Sequence, residues 1–496
     1  MALALVFLAA LILYAVTAAP TIVWGDSAMY VLDAVEGAVR AGTASTHPLY
    51  IELGRLVVRA PGDPGHSLAL LSAVFGAAAV ALVFRIGRQL GASAPAAAIG
   101  AAALTVSHGF WLHAVMPEVY TANAFFLLGT ISLLLWWRET GRALTLVAAG
   151  LMLLLGLTNH LVLAVVLPAA AVFIVVERRA LLRKPMTWAV AGVAVACAGV
   201  AVALEYERVA GIVHRIWVGP PGISDYFRLE LPISAMMREA ALYVGYLGYQ
   251  FPTISLLLGL VGLRTLVRRD RAAAGLLLGI AGLNAAIFIH HTAWASQAKF
   301  VFYISDYAIF AVCCALGADW ILGRMSPTGV SRTVLPWAVT IGLLTAAVPP
   351  ALYAAAPRVA ASLGLRQATE ARLPYRNDAE FFLNPSKRGY DGARRFAVES
   401  LTTARPAAVI YADYTPFSVL VFLQRVEGRR PDVTLRYQAA PGSLDDRVAV
   451  RWEDGAGGRR PIYIASRTLD YYDLSGLTGS YDLVPVGPLL EVRPRE

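Results

Sequence analysis

The sequence is poor in cysteine, in lysine and in charge of either sign. Its 496 residues include three cysteines, Cys197, Cys313 and Cys314, each within an apolar segment. That number and spacing exclude a disulfide framework and a cysteine-based metal centre. Charged residues make up 15% of the chain, against about 25% in soluble domains, which excludes an ordinary soluble protein. The net charge of +9 comes almost entirely from arginine. No basic stripe with interleaved aromatics is present, so nucleic acid is not an expected partner.

Long apolar runs are what the sequence has instead. Hydrophobic residues reach 58% and the mean hydropathy is +0.60. A helix needs about 20 apolar residues to cross a hydrocarbon core of about 30 Å. The runs that approach this length are 2–23, 67–84, 95–113, 118–137, 143–158, 160–176, 187–204, 241–263, 272–291, 299–322 and 333–353. The sequence therefore predicts a polytopic α-helical membrane protein with about eleven transmembrane helices.

The positions of arginine and lysine predict the orientation. These residues concentrate in the loops after every second span, as in the Arg178–Lys184 and Arg264–Arg271 segments. The first loop instead carries several acids. Because positive charge favours the cytoplasmic side, we expect the N-terminus inside. An odd number of spans then places the C-terminal region outside the cytoplasm.

A change of composition near Arg358 divides the predicted chain into two domains. Residues 1–356 would form the transmembrane domain, with long external loops at 25–66 and 205–240. Residues 357–496 have the charge content of a soluble domain and would form an extracytoplasmic α/β domain.

Local patterns predict elements in both parts. In the first loop, Leu32, Val35 and Val39 share a helical face opposite Asp33, Glu36 and Arg40, which predicts an amphipathic helix in the membrane interface. In the C-terminal part, Thr415-Pro416 is typical of a helix start, and Gly428 of its end. The predicted strands are 407–412, 433–437 and 461–466.

Asp26 is the first candidate for chemistry. It lies in the short polar stretch Trp24-Gly25-Asp26-Ser27, directly after the first apolar run. An ionisable group at the water side of a spanning helix is a candidate functional residue. Asp26 is interpreted either as a helix N-cap or as a general base that deprotonates an acceptor hydroxyl at the membrane surface.

Glu118 is the second candidate. Two interpretations fit it: a first-turn acid stabilised by the helix dipole, or a second carboxylate that shares a cleft with Asp26. His47 and His160 lie at predicted external ends as well, where a histidine is either structural or substrate-binding. No spacing of histidines predicts a metal site, and a divalent metal is not expected.

A lipid-phosphate ligand would need a cationic partner near the outer leaflet. Lys299 is the preferred candidate because it opens the tenth span and has no acidic neighbour in the sequence. The alternatives are Arg55, Arg215, Arg228 and Arg238. Each of them also suits a role as an interface anchor.

Several motifs together resemble a known family. They are Trp24-Gly25-Asp26-Ser27, His47-Pro48-Leu49-Tyr50, Leu53-Gly54-Arg55-Leu56, Leu70-Leu71-Ser72-Ala73, Phe110-Trp111 and Glu118-Val119-Tyr120. In this order they resemble the N-terminal region of the GT-C glycosyltransferases, in the branch that includes the transmembrane protein O-mannosyltransferase of animals. The resemblance implies a polyprenyl-phosphate monosaccharide as donor and co-substrate. It also implies catalysis by the acid that Asp26 matches, with Glu118 at the site and Tyr50, Arg55 and Tyr120 in substrate binding.

The sequence thus predicts a GT-C-type membrane glycosyltransferase of a bacterial plasma membrane. It would transfer a monosaccharide, with mannose as one candidate, from the lipid-linked donor to a hydroxyl of a protein, glycan or lipid acceptor on the outer face. Asp26 and Glu118 would be catalytic, and the substrate-binding residues would be His47, Tyr50, Arg55, Tyr120, His160 and Lys299. The alternative is a polytopic transporter or lipid flippase, for which broken helices and mid-membrane acids such as Asp306 would be typical. A non-catalytic receptor or assembly protein is a third possibility.

Overall fold

The computed structural model describes most of the chain as helices, with a small sheet near the C-terminus. The described residues are 1–37, 47–178, 232–290, 296–325, 331–365, 373–437, 454–455, 458–466, 474, 477, 479 and 481–495. Their α-helices are α1 (Ala2–Thr17), α2 (Asp26–Glu36), α3 (Pro48–Val57), α4 (Pro64–Gln89), α5 (Ala94–Thr105), α6 (His108–Ala114), α7 (Tyr120–Thr140), α8 (Ala143–Asn159), α9 (Val166–Glu177), α10 (Ile233–Gln250), α11 (Ile254–Arg269), α12 (Arg271–His290), α13 (Ile304–Met325), α14 (Ser331–Ser362), α15 (Asp378–Leu383), α16 (Gly392–Thr403) and α17 (Tyr414–Val426). Short 3₁₀ segments, Leu161–Val165 and Ser296–Tyr303, precede α9 and α13.

Several of these helices are suited to a membrane. Among the described residues, five helices are long and apolar enough to cross one, or up to seven if each of two bent pairs counts as one span. Three apolar helices are shorter, at Ala2–Thr17, Ala143–Asn159 and Leu161–Glu177. The chain is therefore a polytopic α-helical membrane protein. The predicted span at 187–204 lies outside the described residues, and the total of eleven stays a prediction.

Two of the predicted continuous spans are broken, which corrects the sequence interpretation. Helices α5 and α6 meet at 69°, and α10 and α11 meet at 115°. The second break follows from Pro252, which has no N–H and disfavours helical geometry in the residue before it. At the first break, the Gln250 side-chain oxygen accepts hydrogen bonds from the Ser107 hydroxyl (2.9 Å) and the Gly109 N–H (2.5 Å). The polar groups freed at one break thus find partners at the other.

The chain forms two compact units. The first comprises Met1–Ala10, Ala77–Phe110 and Tyr120–Pro349, and the second comprises Leu11–Gly76, Trp111–Val119 and Pro350–Glu496. The predicted division at residues 356 and 357 stays a prediction, because the units group segments by contact rather than by membrane boundary. In the second unit, the C-terminal sheet belongs with segments from the first quarter of the sequence.

The sheet of the second unit has five strands. They are β1 (Val409–Ala412), β2 (Thr434–Tyr437), β5 (Ile462–Ile464), β6 (Tyr481–Val486) and β7 (Leu489–Pro494), in the order β2-β1-β5-β7-β6. Strands β2, β1 and β5 are parallel, and β7 and β6 add antiparallel. A separate two-stranded ladder joins β3 (Asp454–Gly455) to β4 (Gly458–Arg459).

The strands predicted at 407–412, 433–437 and 461–466 are confirmed with shorter bounds. Buried residues of these strands, among them Val409, Ile464 and Leu490, form a hydrophobic core cluster. The predicted helix start is wrong by two residues: α17 is capped by Asp413, whose carboxylate accepts a 2.8 Å hydrogen bond from the Thr415 N–H.

Helix α2 differs from the amphipathic interface helix that the sequence predicts. Leu32 and Asp33 are both completely buried, whereas Val35 is 40% exposed. The assignment of Val35 to the buried face and Asp33 to the polar face is therefore wrong. The reason is that α2 packs against both α3 and α17, so it buries more than one face.

Candidate active site

The stretch Trp24-Gly25-Asp26-Ser27 turns the chain from the end of α1 into α2. Trp24 is buried, and its indole N–H donates a 2.5 Å hydrogen bond to the Tyr390 hydroxyl. Gly25 has φ 67° and ψ −131°, a conformation that only glycine adopts without strain. Helix α2 then begins at Asp26. The anchored indole and the glycine turn together fix where the Asp26 side chain emerges.

Asp26 does not act as the N-cap of α2. The cap position is Gly25, and Asp26 is the first residue of the helix itself. Its Oδ1 atom accepts a 2.6 Å hydrogen bond from the hydroxyl of Tyr414. Within the described part of the chain, no donor reaches Oδ2, and the side chain stays partly exposed. One carboxylate oxygen is thus held by Tyr414, and the other accepts no hydrogen bond from the described residues.

Glu118 lies beside Asp26, buried in the segment that precedes α7. Its Oε1 accepts a 3.2 Å hydrogen bond from the hydroxyl of Ser27, the residue after Asp26. The Ser72 hydroxyl accepts from the Glu118 N–H (3.1 Å) and donates to the Glu118 carbonyl (3.0 Å). Tyr50 lies 2.8 Å from the Ser72 hydroxyl. Because α7 starts at Tyr120, Glu118 is not a first-turn acid, and its backbone is held by Tyr50 and Ser72 instead.

Burial and charge shift the ionisation of this group of residues. Burial raises the pKa of Asp26, and the Tyr414 hydrogen bond partly offsets the rise. Burial raises the pKa of Glu118 well above its usual range, and the negative charge of Asp26 raises it further. Burial, followed by the charge of Asp26, also raises the pKa of Tyr414, which keeps the phenol protonated. Such unequal shifts in two neighbouring carboxyls separate a base from a proton-bearing acid.

Asp33 and Tyr414 belong to the same cluster and were missed from the sequence as site residues. Asp33 is completely buried, and its charge contributes to the raised pKa of Tyr414. Its position seven residues after Asp26 puts both on one face of a helix, a signal that the sequence does contain. Tyr414 is 388 residues from Asp26 and carries no local signal.

Helices α2 and α17 pack side by side and run parallel. The Asp26–Tyr414 bond joins their first residues, and an ion pair of 2.7 Å joins Glu36 to Arg425 at their last turns. The helix that follows β1 therefore fixes the orientation of the helix that carries Asp26.

The remaining predicted residues of the second unit have different surroundings. His47 is buried, with its ring edge-on to Tyr30 at a centroid distance of 5.7 Å. Tyr50 is completely buried and contacts the same Tyr30 ring at 5.7 Å. Arg55 is exposed and forms a 2.9 Å ion pair with Glu52. Tyr50 and His47 thus both pack against Tyr30 of α2, the helix that carries Asp26, whereas Arg55 is paired with Glu52 near the end of α3.

Tyr120, His160 and Lys299 belong to the first unit. The Tyr120 and His160 rings lie 5.8 Å apart, and His160 Nδ1 accepts a 3.1 Å hydrogen bond from the Val162 N–H. Lys299 is 3% exposed and forms a 3.0 Å ion pair with Glu239, which is 4% exposed. Arg238 is exposed beside the same glutamate at 3.6 Å. The alternative cations Arg215 and Arg228 lie outside the described residues.

Comparison with known proteins places this arrangement in a known fold. Residues 42–183 match a family model described as the protein O-mannosyl-transferase TMEM260 N-terminal domain. The whole chain is similar in structure to apo ArnT from Cupriavidus metallidurans, with a TM-score of 0.53 and 14% identity over 99% of this chain and 97% of ArnT. ArnT bound to undecaprenyl phosphate gives a TM-score of 0.54 and 13% identity over the same shares. The chain has the GT-C fold. Among the curated proteins, none matches it by sequence.

The GT-C resemblance predicted from the sequence motifs is confirmed by these comparisons. The matched segment 42–183 contains Glu118 and its partners Tyr50 and Ser72, and begins after Asp26. Within the described residues, no group of three or more His, Cys, Asp or Glu side chains could hold a metal ion. The predicted lack of a divalent metal stays a prediction. The structure thus places two carboxyl groups, Asp26 and Glu118, close together, with Ser27 bonded to the second of them.

Proposed function

We propose that the chain is a GT-C glycosyltransferase that moves a monosaccharide from a polyprenyl-phosphate donor to an acceptor hydroxyl on the outer face of the membrane. The main observation behind this proposal is that two carboxyl groups, those of Asp26 and Glu118, lie close together. The Oδ2 atom of Asp26 accepts no hydrogen bond from the described residues, and Glu118 is buried next to Asp26 with a pKa well above the usual range. The charge pattern of the loops supports the outer location.

Asp26 acts as the general base in this proposal. The open Oδ2 takes the proton of the acceptor hydroxyl while the acceptor oxygen bonds to the anomeric carbon of the donor. The bond from that carbon to the phosphate oxygen breaks, and its electron pair departs with polyprenyl phosphate. Attack from the side opposite the phosphate inverts the anomeric centre.

Glu118 stays protonated during this step. Its raised pKa leaves the pair with a single negative charge, located on Asp26. A neutral carboxyl can donate a hydrogen bond to a sugar or phosphate oxygen, which an ionised one cannot. Ser27 and Ser72 hold it in place for that purpose.

The donor is proposed to be a polyprenyl-phosphate sugar. ArnT, a structure of the same fold, has been observed with undecaprenyl phosphate, and the matched family is described as a protein O-mannosyl-transferase. Mannose transfer is therefore the first activity to test. Lys299 remains the proposed ligand of the lipid phosphate, and its pairing with Glu239 means that a phosphate would share the ammonium with that carboxylate.

Transfer of radiolabelled sugar from a panel of polyprenyl-phosphate donors, by purified protein in detergent, tests the function directly. Asp26→Asn removes the basicity but preserves size, and a positioned base contributes about 10²–10⁴-fold. We expect transfer to fall at least about 100-fold while the melting temperature changes little. Asp378→Asn is a matched control, since Asp378 is half-buried and paired with Arg376 at 2.6 Å. Full activity of Asp26→Asn would refute the mechanism.

A lipid transporter or flippase is the second candidate. Two spans are broken, and Asp306 is buried within a membrane helix, where its Oδ1 accepts a 3.1 Å hydrogen bond from Asn284. Broken helices and intramembrane acids are features of transporters. Translocation of a fluorescent polyprenyl phosphate across liposomes that survives Asp26→Asn but not Asp306→Asn would favour this candidate over the enzyme.

A further inference from the structure

The parallel part of the C-terminal sheet has a topological switch point at β1. From β1 the chain passes through α17 to β2 on one side, whereas β5 pairs with β1 on its other side. In open sheets with parallel strands, ligands bind beyond the carboxyl ends of the strands where the connections diverge. The carboxyl end of β1 is therefore the expected binding edge of this sheet.

Aromatic and acidic side chains occupy that edge. Asp413 and Tyr414 directly follow β1, and Tyr437 is the last residue of β2, paired in register with Ala412. The Tyr437 ring lies 6.5 Å from Tyr414 and 5.4 Å from Phe417 by centroid distance. Burial and then the charge of Asp413 raise the pKa of Tyr437, which places that carboxylate nearby. Tyr437 itself is 51% exposed, so one part of its ring is open to solvent.

This edge is connected to the proposed base. Tyr414 donates its hydroxyl to Asp26 Oδ1 and leaves Oδ2 open. An acceptor whose hydroxyl reaches Oδ2 would therefore lie near the Tyr414 phenol, which is bonded to the other oxygen of the same carboxylate. Tyr437 is the next aromatic side chain on this edge, with its ring 6.5 Å from that of Tyr414.

We propose that Tyr437, with Tyr414, forms an acceptor subsite that stacks against a pyranose ring, so that the acceptor is a glycan. This inference rests on the proposed glycosyltransferase function. A pyranose offers an apolar face of C–H groups to an exposed aromatic ring, and its hydroxyls suit the phenol and carboxylate beside it. An extended peptide would rely on main-chain pairing with a strand edge and would not need the ring.

Two variants of Tyr437 and one neighbouring control test the subsite. Tyr437→Ala removes the ring, whereas Tyr437→Phe keeps it and removes the hydroxyl. Arg436→Ala is the control, because Arg436 is exposed on the same strand and points to the opposite face. The acceptor probes are methyl glycosides of mannose, glucose, galactose and N-acetylglucosamine, together with a threonine-containing peptide.

The kinetic readout separates acceptor binding from catalysis. For the best glycoside, Tyr437→Ala should raise the acceptor KM about 5- to 10-fold, the range expected for loss of an aromatic contact. The donor KM should stay unchanged, Arg436→Ala should match the wild type, and Tyr437→Phe, which keeps the stacking ring, should raise the acceptor KM less than Tyr437→Ala does. An unchanged acceptor KM in Tyr437→Ala, or transfer to the peptide alone, would overturn the proposal.

Saturation-transfer NMR with the same glycosides tests binding without any turnover. Saturation of the protons on one sugar face in the wild type, lost in Tyr437→Ala, would support the subsite. Absence of saturation for every glycoside would overturn it. A wild-type protein that binds glycosides but neither transfers nor hydrolyses any donor would contradict the proposed function instead.

Discussion

A single hydrogen bond defines the state of Asp26. The Tyr414 phenol donates to Oδ1, which stabilises the ionised carboxylate and fixes its rotation, while Oδ2 remains available. Burial favours the protonated form of Asp26 and raises its pKa, and this hydrogen bond opposes that rise. In the proposed reaction, Tyr414 would therefore act through the ionisation and the orientation of Asp26.

Replacement of Tyr414 by phenylalanine should move the acid side of the pH profile. Without the hydrogen bond the pKa of Asp26 rises further, since the phenol is the group that lowers it. Activity should then appear at higher pH than in the wild type, with kcat reduced about 10-fold at neutral pH, equivalent to one lost charged hydrogen bond. Rates measured from pH 5 to 9 would show the shift. Tyr481→Phe, on a strand at the other side of the sheet, should leave the profile unchanged.

Glu118 should control the alkaline side of the pH profile of activity. As the pH rises through its raised pKa, Glu118 loses the proton with which it donates, and wild-type activity should fall. Because the folded state holds this proton more tightly than the unfolded state, wild-type stability should also fall as pH rises from about 4.5 through the folded pKa. Glu118→Gln should remove both alkaline losses, with lower maximal activity. Melting temperatures at pH 5 and pH 8 that diverge equally in both proteins would contradict this role.

At the scale of elements, the turn at Gly25 sets the start of α2. An added Cβ at Gly25 would meet no atom within 4 Å, so the effect of Gly25→Ala comes from the backbone alone. A non-glycine residue in this region of φ and ψ costs about 1–3 kcal/mol. We expect a lower melting temperature and a loss of turnover from displacement of Asp26. Gly150→Ala is the control, since its Cβ also enters open space but within a helix, where alanine is favoured.

The elements that the sequence predicted well are those with a local cause. Long apolar runs predicted helices such as α4 and α12, and buried β-branched runs predicted β1 and β5. The break after Gln250 has a local cause in Pro252 that could have been recognised. The burial of Asp33 in α2 could not have been recognised from the sequence, because it depends on α17, a helix nearly 400 residues later in the chain.

At the scale of the whole molecule, the predicted orientation is open to a labelling experiment. Thr402 in α16 and Thr140 at the end of α7 are both exposed, so cysteines there should react when they are accessible. The charge rule predicts that Thr402→Cys reacts with a membrane-impermeant thiol reagent in intact cells and Thr140→Cys does not. The described native cysteines, Cys313 and Cys314, are buried and should not react with the reagent. Labelling at Thr140 alone would reverse the orientation and remove the outer-face assignment of Asp26.

Only part of the candidate site could be predicted from the sequence. Asp26 and Glu118 were found because acids at the ends of apolar runs stand out against their surroundings. Ser72 and Tyr50 lay within recognisable motifs, but their role in holding the Glu118 backbone required the structure. Tyr414 and Tyr437 have no signal in a single sequence, since tyrosines are common and nothing local marks a contact across hundreds of residues.

The bond between Asp26 and Tyr414 also has a consequence for the order of synthesis. The two residues are 388 positions apart, and at 5–20 residues per second the ribosome needs roughly 20–80 s to travel between them. During that interval the nascent chain carries Asp26, the proposed base, but lacks the phenol that orients it. A chain released before residue 414 would carry Asp26 without the hydrogen bond that orients it, and we expect any transfer by such a chain to be weaker than that of the complete protein.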